Sequence, residues 1–456
     1  FTPSNPEVDF KGEKRSNETH RSRTDPESVL YRKGPGKEAK LCFGAHGLME
    51  NRNGLLAAID IYNPLESREA EMAIRQMEEV AESGLGLPCS IAGDKGYHTK
   101  NFVDQCRERE IKPHVALLDK ESRFPWEIVE KMKPLNFFGL QVPQVYGGAG
   151  LDTISYTIAI EELSRVSAAL GLCVTVHNSV GIYPILAFGT REQKEKFVPS
   201  MAAGDSIGAF CLTEANAGSD AGGVETWAVD NGNEYVLNGT KIFVTNGGVC
   251  GTALIFAVSE NADAKPLASV FIVDKSCPGF SVGEIEDLCG MRANPVSSLF
   301  FEDCRVPRDH LLGKVGLGIK IALTALDTGR LGIAAQALGI AQAAFESSVA
   351  YARERQQFNK PLAGFQTIQN YLADMATDID ASRLLLYKAA ALKDEDKPFS
   401  AESAMAKLHC SATARKVTDL AVQIHGGYGY SKEYDVERYF RDAKVTEIYE
   451  GTSEVQ

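Results

Sequence analysis

The chain has 456 residues, more than one hydrophobic core organises, so roughly two to four domains are expected. Its 44% hydrophobic and 24% charged content is that of a globular protein and excludes a disordered or fibrous chain. A net charge of −13 excludes a nucleic-acid binder as a whole, because phosphate contacts require a basic surface.

Residues 1–40 are polar and punctuated by Pro and Gly, without sustained period. Lys and Arg cluster between Lys11 and Lys40, with Glu and Asp interspersed as on a solvated loop. The chain does not start with Met, which suggests a fragment. Leu41 to Tyr62 alternates short apolar runs with turn signals, as paired strands do. Ser67 to Ser83 reads as a helix with Ala70, Met72, Ala73, Met77 and Val80 near one face, and Thr99 would cap a second helix through Glu110.

From Pro125 the helical period dominates: Trp126 to Leu135, Ile154 to Ser167 and Gly171 to Phe188, interrupted by Gly147-Gly148-Ala149-Gly150. Near Ser206 the period changes to two. Trp227-Ala228-Val229 and Tyr235-Val236-Leu237 flank Asp230-Asn231-Gly232-Asn233, a strong hairpin signal, and Leu254–Val258, Val270–Val273 and Leu299–Phe301 continue the strands. After Gly316 long Ala-rich helices return over Arg330–Arg353, Thr367–Lys393 and Ser400–Gln423. No stretch reads as a membrane span of about 20 apolar residues, and no secretory signal is visible. None of the ten cysteines forms a CxxC pair, so a zinc or thioredoxin-like site has no support and no metal is expected. Cys173, Cys211, Cys250, Cys289 and Cys410 read as small core residues, consistent with a reducing cytoplasm.

Four segments carry the chemistry. Ile448-Tyr449-Glu450-Gly451-Thr452-Ser453-Glu454 places a carboxylate before a glycine that lets backbone approach a ligand closely, followed by hydroxyls for phosphate or ribose. The others are Phe210-Cys211-Leu212-Thr213-Glu214-Ala215-Asn216-Ala217-Gly218-Ser219-Asp220, Lys241-Ile242-Phe243-Val244-Thr245-Asn246-Gly247-Gly248 and Gln423-Ile424-His425-Gly426-Gly427-Tyr428-Gly429-Tyr430. In this order and spacing they resemble the flavin and thioester site of acyl-CoA dehydrogenases, over roughly residues 110 to 456.

That resemblance implies an α+β multidomain fold: a helical domain (117–205), a β-barrel (206–315) and a C-terminal helical bundle (316–456) lacking its last helix. It implies FAD-dependent α,β-dehydrogenation of a short-chain or butyryl-type acyl-CoA, with electrons leaving to an electron-transfer flavoprotein. Glu450 would be the base, an ordinary carboxylate until an apolar pocket raises its pKa. The family's other solution puts a carboxylate just before an Arg on the first bundle helix, where this chain has Gly329. Flavin contacts carry over to Phe210, Leu212, Thr213, Gly218, Ser219, Phe243, Val244 and Thr245. A neighbouring subunit's cofactor would be reached by Arg355, Gln366 and Gln423, Ile424, His425, Gly426 and Gly427, which implies a homo-oligomer, a dimer of dimers. Thr452, Ser453 and Glu454 would complete the FAD site; Ser219, Asp327, Thr328, Gly329, Arg330 and Gly451 would contact acyl-CoA. Departures are Ala215-Asn216 for Pro-Gly, Phe243 for a frequent Trp and Asn359 for a frequent Gly. An acyl-CoA oxidase is the nearest alternative.

Residues 1–116 instead resemble the interior of a DDE-type insertion-sequence transposase, an RNase H-like α/β fragment. The carriers are Asn5-Pro6-Glu7-Val8-Asp9-Phe10, Thr24-Asp25-Pro26-Glu27, Tyr31-Arg32-Lys33-Gly34, Leu48-Met49-Glu50-Asn51-Arg52-Asn53-Gly54 and Asp94-Lys95-Gly96-Tyr97-His98-Thr99. The join would fall at Glu110-Ile111-Lys112-Pro113, at the expense of the dehydrogenase's first helix. Two-metal nuclease chemistry needs three carboxylates, and only Asp94 matches, so functional nucleic-acid binding is not expected. An inactive fusion product is the alternative of a different class.

Overall fold

The computed structural model describes residues 29–31, 40–42, 44–50, 55–62, 114–260 and 266–456. The chain divides into two units, Phe1–His114 and Val115–Gln456. In the first, β1 (Val29–Tyr31) pairs antiparallel with β2 (Lys40–Cys42), and β3 (Gly44–Glu50) with β4 (Leu55–Tyr62). The strand pairing expected over 41–62 is present; the helices expected at 67–83 and 99–110 lie outside the described residues.

From Val115, within α1 (His114–Glu121), the second unit continues through α2 (Trp126–Met132) to α3 (Thr153–Val166). Asp152 caps α3 by accepting from the Ser155 N–H at 2.7 Å. Asp394, from a helix far along the chain, accepts from the Thr153 and Ile154 N–H groups at 2.8 and 3.2 Å. First-turn donors are thus satisfied by a carboxylate at the positive end of the helix.

Next comes α4 (Ala168–Phe188), whose middle His177–Ile182 is a π-helical turn. It is apolar and long enough to cross a membrane, contrary to the reading of the sequence, but 89% of its most apolar 18-residue stretch is buried inside the protein, where its apolar residues form core. The π turn sends two polar side chains inward. Asn178 donates to the Phe137 carbonyl and accepts from the Leu140 N–H. His177 Nδ1 accepts from the Gly208 N–H at 2.7 Å, so Nε2 carries the proton and donates toward the Phe138 and Met201 carbonyls. Burial holds its imidazole down at about 4, and hence neutral.

α5 (Arg191–Ala202) opens on a run of charged and polar residues, with its buried Phe197, Val198 and Met201 confined to the second half; its Thr190/Gln193 capping box announces it. The sheet follows: β5 (Ile207–Cys211), β6 (Trp227–Asp230), β7 (Glu234–Val244), β8 (Cys250–Glu260), β9 (Pro266–Asp274), β10 (Phe280–Ile285), β11 (Ser297–Pro307) and β12 (Leu311–Leu312). Its order is β10-β11-β7-β6-β8-β9-β12, with β5 added parallel to β8. β6 and β7 form the expected hairpin, in register Trp227 to Asn238.

Four helices complete the unit: α6 (Gly318–Glu354), α7 (Gln366–Asp394), α8 (Ser400–His425) and α9 (Val436–Val445). One apolar core joins α3, α4, α6, α7 and α8, through Tyr156, Cys173, Leu331, Leu338, Leu386 and Ala414. Phe210 from β5 and Tyr449 after α9 pack on that same core, which brings sheet and bundle to one place. Cys173, Cys211, Cys250 and Cys410 are buried as expected. Cys289 is not: it sits exposed in the β10–β11 connection.

Candidate active site

The chain turns at Glu450 and Gly451 through two consecutive positive φ angles, 53° and 96°. Glycine accepts this freely, whereas Glu450 is held in a sparsely populated conformation by its surroundings. Lys407, on α8, donates to the Gly451 carbonyl at 2.6 Å, and Gln456 Nε2 donates to the Gly451 and Glu450 carbonyls at 2.9 and 3.2 Å. With its carbonyls fastened, the turn aims the Glu450 side chain inward. Both carboxylate oxygens are shut off from solvent and find no hydrogen-bond partner among the described residues. Burial pushes the carboxyl from 4.5 up to about 8, against the pull of Lys407 and Arg330.

The carboxylate lies against Gly329 on α6. A Cβ built at Gly329 would stand 2.1 Å from Glu450 Oε2, so a side chain there and the Glu450 carboxylate claim the same space. Thr328 is buried, and its hydroxyl has no partner among the described residues. Arg330 pairs with Asp327 at 2.8 Å, and Ser400 donates to the other Asp327 oxygen at 2.5 Å. Asp327, Thr328, Gly329, Arg330, Glu450 and Gly451 are therefore gathered in one site. Tyr156, bonded to Thr175 at 2.6 Å, is close enough for the Glu450 charge to act on it, and Tyr449 donates to Gln336.

A second cluster sits at the end of β5. Lys241 and Glu214, both buried, pair at 2.5 Å, and Lys241 also donates to the Leu212 carbonyl at 3.2 Å. Glu214 further accepts from the Thr226 hydroxyl and from the N–H groups of Glu225 and Thr226. Burial opposes ionisation of Glu214, but these donors outweigh it and hold the carboxyl below its ordinary range. The pair staples the loop after β5 to β7, as does the Ile242 N–H on the Thr213 carbonyl. Leu212 and Val244 are buried, Phe210, Thr213 and Thr245 half-buried, and Gly218 and Ser219 exposed. Phe243 stands out from β7 at 59% exposure with φ +52°, a large aromatic presented to whatever docks here.

A third group surrounds a cavity of about 580 Å³ lined by Tyr351, Arg355, Leu362, Ile424, His425, Gly426 and Gly427, among others. His425 stacks on Tyr351 at 4.1 Å, and Arg355 lies 5.4 Å from the Tyr428 ring without an ion pair among the described residues. Gly426 ends α8 at φ 61°, ψ −137°, which only glycine adopts comfortably. Gln366 and Gln423 are exposed and do not line this cavity. Thr452 and Ser453 are half-buried and Glu454 exposed; Ser453 donates through its N–H to the Glu447 carbonyl.

Lys407, Lys241, Tyr156, Thr175 and Gln336 were not legible as site residues. A lysine inside an Ala-rich helix is the one local signal, since lysine seldom occupies a buried face without a task.

Family models describe the C-terminal, middle and N-terminal domains of acyl-CoA dehydrogenase, and they match residues 316–456, 209–304 and 98–205. The short-chain specific acyl-CoA dehydrogenase of Clostridium acetobutylicum is 48% identical over 357 residues, 78% of this chain and 94% of that protein. Butyryl-CoA dehydrogenase from Megasphaera elsdenii superposes with TM-score 0.74 at 44% identity, covering 76% of this chain and 92% of that one. A chain solved in work on the electron transferring flavoprotein of Acidaminococcus fermentans superposes with TM-score 0.73 at 47% identity, covering 75% and 90%. The chain belongs to the acyl-CoA dehydrogenase family. It is an FAD enzyme that dehydrogenates acyl-CoA thioesters. The N-terminal match begins at residue 98, so residues 98–116, expected to belong to a transposase-like segment, fall within the dehydrogenase family's own N-terminal domain.

The residues fit the flavin nucleotide. Arg355, without a carboxylate partner among the described residues, suits a pyrophosphate, and the space around Gly218, Gly426 and Gly427 is open where a Cβ would otherwise stand. The Glu450 carboxylate and the Thr328 hydroxyl are buried polar groups left without a hydrogen-bond partner among the described residues.

Proposed function

We propose that the chain oxidises short, straight acyl-CoA thioesters of the butyryl class and passes the electrons to an electron-transfer flavoprotein in the cytoplasm. The carrying observation is the Glu450 carboxylate: buried, unpartnered and pressed on Gly329 beside Thr328. Phe210 to Ser219, with Phe243, Val244 and Thr245, hold the flavin ring. Arg355, Gln366 and Gln423 to Gly427 serve a neighbouring subunit's cofactor in a dimer of dimers, and Thr452 to Glu454 complete the site. Bound FAD supplies the acceptor for the hydride leaving the β carbon.

Everything else is done by the chain. Glu450 takes the proton from the α carbon, and the electron pair left behind forms the double bond as the β hydrogen departs with its own pair. A base near 8 suits a weak carbon acid better than an ordinary carboxylate would. The Glu450 N–H polarises the thioester carbonyl, and the tight turn brings it within reach. Asp327 and Arg330 hold each other and present one orientation to the thioester. A residue that excludes water around Glu450 also prevents proton leakage.

Residues 1–97 precede the family match, and their resemblance to a transposase supports reading the chain as a join of two proteins. Asp94 alone does not hold two metal ions.

Glu450→Gln tests the proposal. The variant retains yellow FAD but loses bleaching by butyryl-CoA by about 10²-fold or more, the range for general-base loss. Undiminished bleaching refutes it.

A further inference from the structure

Lys407 has no place in the reaction so far, yet it is fully buried on α8 and makes no ion pair within 4 Å among the described residues. Its Nζ spends its bond on a neutral acceptor, the Gly451 carbonyl at 2.6 Å. Burying an ammonium against a carbonyl alone is unfavourable. A neutral donor would fasten the same carbonyl without that penalty, so hydrogen bonding alone does not account for a cation. We propose that Lys407 is a positioning residue for Glu450: it fixes the Glu450–Gly451 turn and supplies the positive charge that favours the ionised carboxylate. This rests on Glu450 being the base.

The charged surroundings leave the part to Lys407. From α6, Arg330 also faces the turn, but Asp327 neutralises it at 2.8 Å. From α3, Tyr156 offers a phenol whose ionisation burial suppresses, and Tyr449 beside Glu450 is suppressed likewise. Burial pulls the Lys407 ammonium down to about 8, and the negative charge of Glu450, Glu447 and Glu454 opposes that fall without cancelling it, so Lys407 is mainly cationic only below that pH. Glu447 itself pairs with Lys444 at 2.7 Å. Of the two cations that act on Glu450, Lys407 is thus the one not matched by a carboxylate within ion-pair distance among the described residues.

Three variants of the FAD-loaded enzyme separate the roles. Lys407→Gln keeps a donor for the Gly451 carbonyl and removes the charge; Lys407→Met removes both; Lys407→Arg keeps the charge. The first readout is the rising limb of kcat/KM against pH. The second is the carbonyl stretch of protonated Glu450 in the resting enzyme, isolated by infrared difference against Glu450→Gln and titrated with pH. In the Gln and Met variants both titrations move upward by about one pH unit or more, as loss of a nearby opposite charge requires. In Lys407→Arg they stay within about 0.3 unit of the parent. Should Lys407→Met fail to fold, the Gln variant carries the comparison. An unmoved Glu450 band in Lys407→Gln overturns the inference, as does an equal movement in Lys407→Arg. If the band moves while the kcat/KM limb does not, Lys407 tunes Glu450 as proposed, but Glu450 is not the base.

Discussion

Replacing Gly329 by alanine tests the geometry of proton abstraction without touching the base itself. The new Cβ would stand 2.1 Å from Glu450 Oε2, 2.7 Å from Cδ and 2.9 Å from Oε1, where ordinary contact begins near 3.4 Å. The carboxylate therefore retreats by roughly 1 Å, and misplacement on that scale reduces turnover about 10²-fold. That corresponds to about 2.7 kcal/mol of lost transition-state stabilisation. The fold absorbs the change, because the displaced group is the end of a flexible side chain. Alanine within α6 even gains up to about 1 kcal/mol of helix propensity over glycine. Stopped-flow bleaching of FAD by butyryl-CoA, read beside a thermal melt, separates the two effects: reduction slows about 10²-fold while Tm holds or rises. Placed on Glu450→Gln, the same substitution adds little further loss, since both act on one group. Turnover within about threefold of the parent, with the melt unchanged, refutes the placement of Glu450 as base.

The pH dependence follows from the same burial. The Glu450 carboxyl is raised from 4.5 to about 8 in the folded state, so kcat/KM climbs through about pH 8 as the base ionises. Its stabilising contribution is full below 4.5 and is lost as pH rises to about 8. Glu450→Gln removes that trend, and the difference between the two proteins in urea melts across the range approaches roughly 5 kcal/mol. At the second cluster, Lys241→Met leaves Glu214 charged in the interior and destabilises by about 3–5 kcal/mol, with FAD content falling in parallel. A variant that melts like the parent contradicts the staple.

Periodicity and turn chemistry placed the elements because both are local. The helical period marks α3, long Ala-rich runs mark α6, α7 and α8, and Asp230-Asn231-Gly232-Asn233 marks the β6–β7 hairpin, with no information from elsewhere in the chain. Glu450-Gly451 was legible for the same reason: a carboxylate ahead of a glycine is a local motif whose company in the chain gives it meaning. The environment that makes Glu450 a base was not local. Gly329 lies on α6, Lys407 on α8 and Tyr156 on α3, and only the packing of these helices brings them to one turn. The Glu214–Lys241 pair is likewise a product of sheet register, and the opposite fates of buried Cys410 and exposed Cys289 depend on what covers each. Residue type sets what a side chain can do in water; its proton affinity and partners are fixed when folding removes the water.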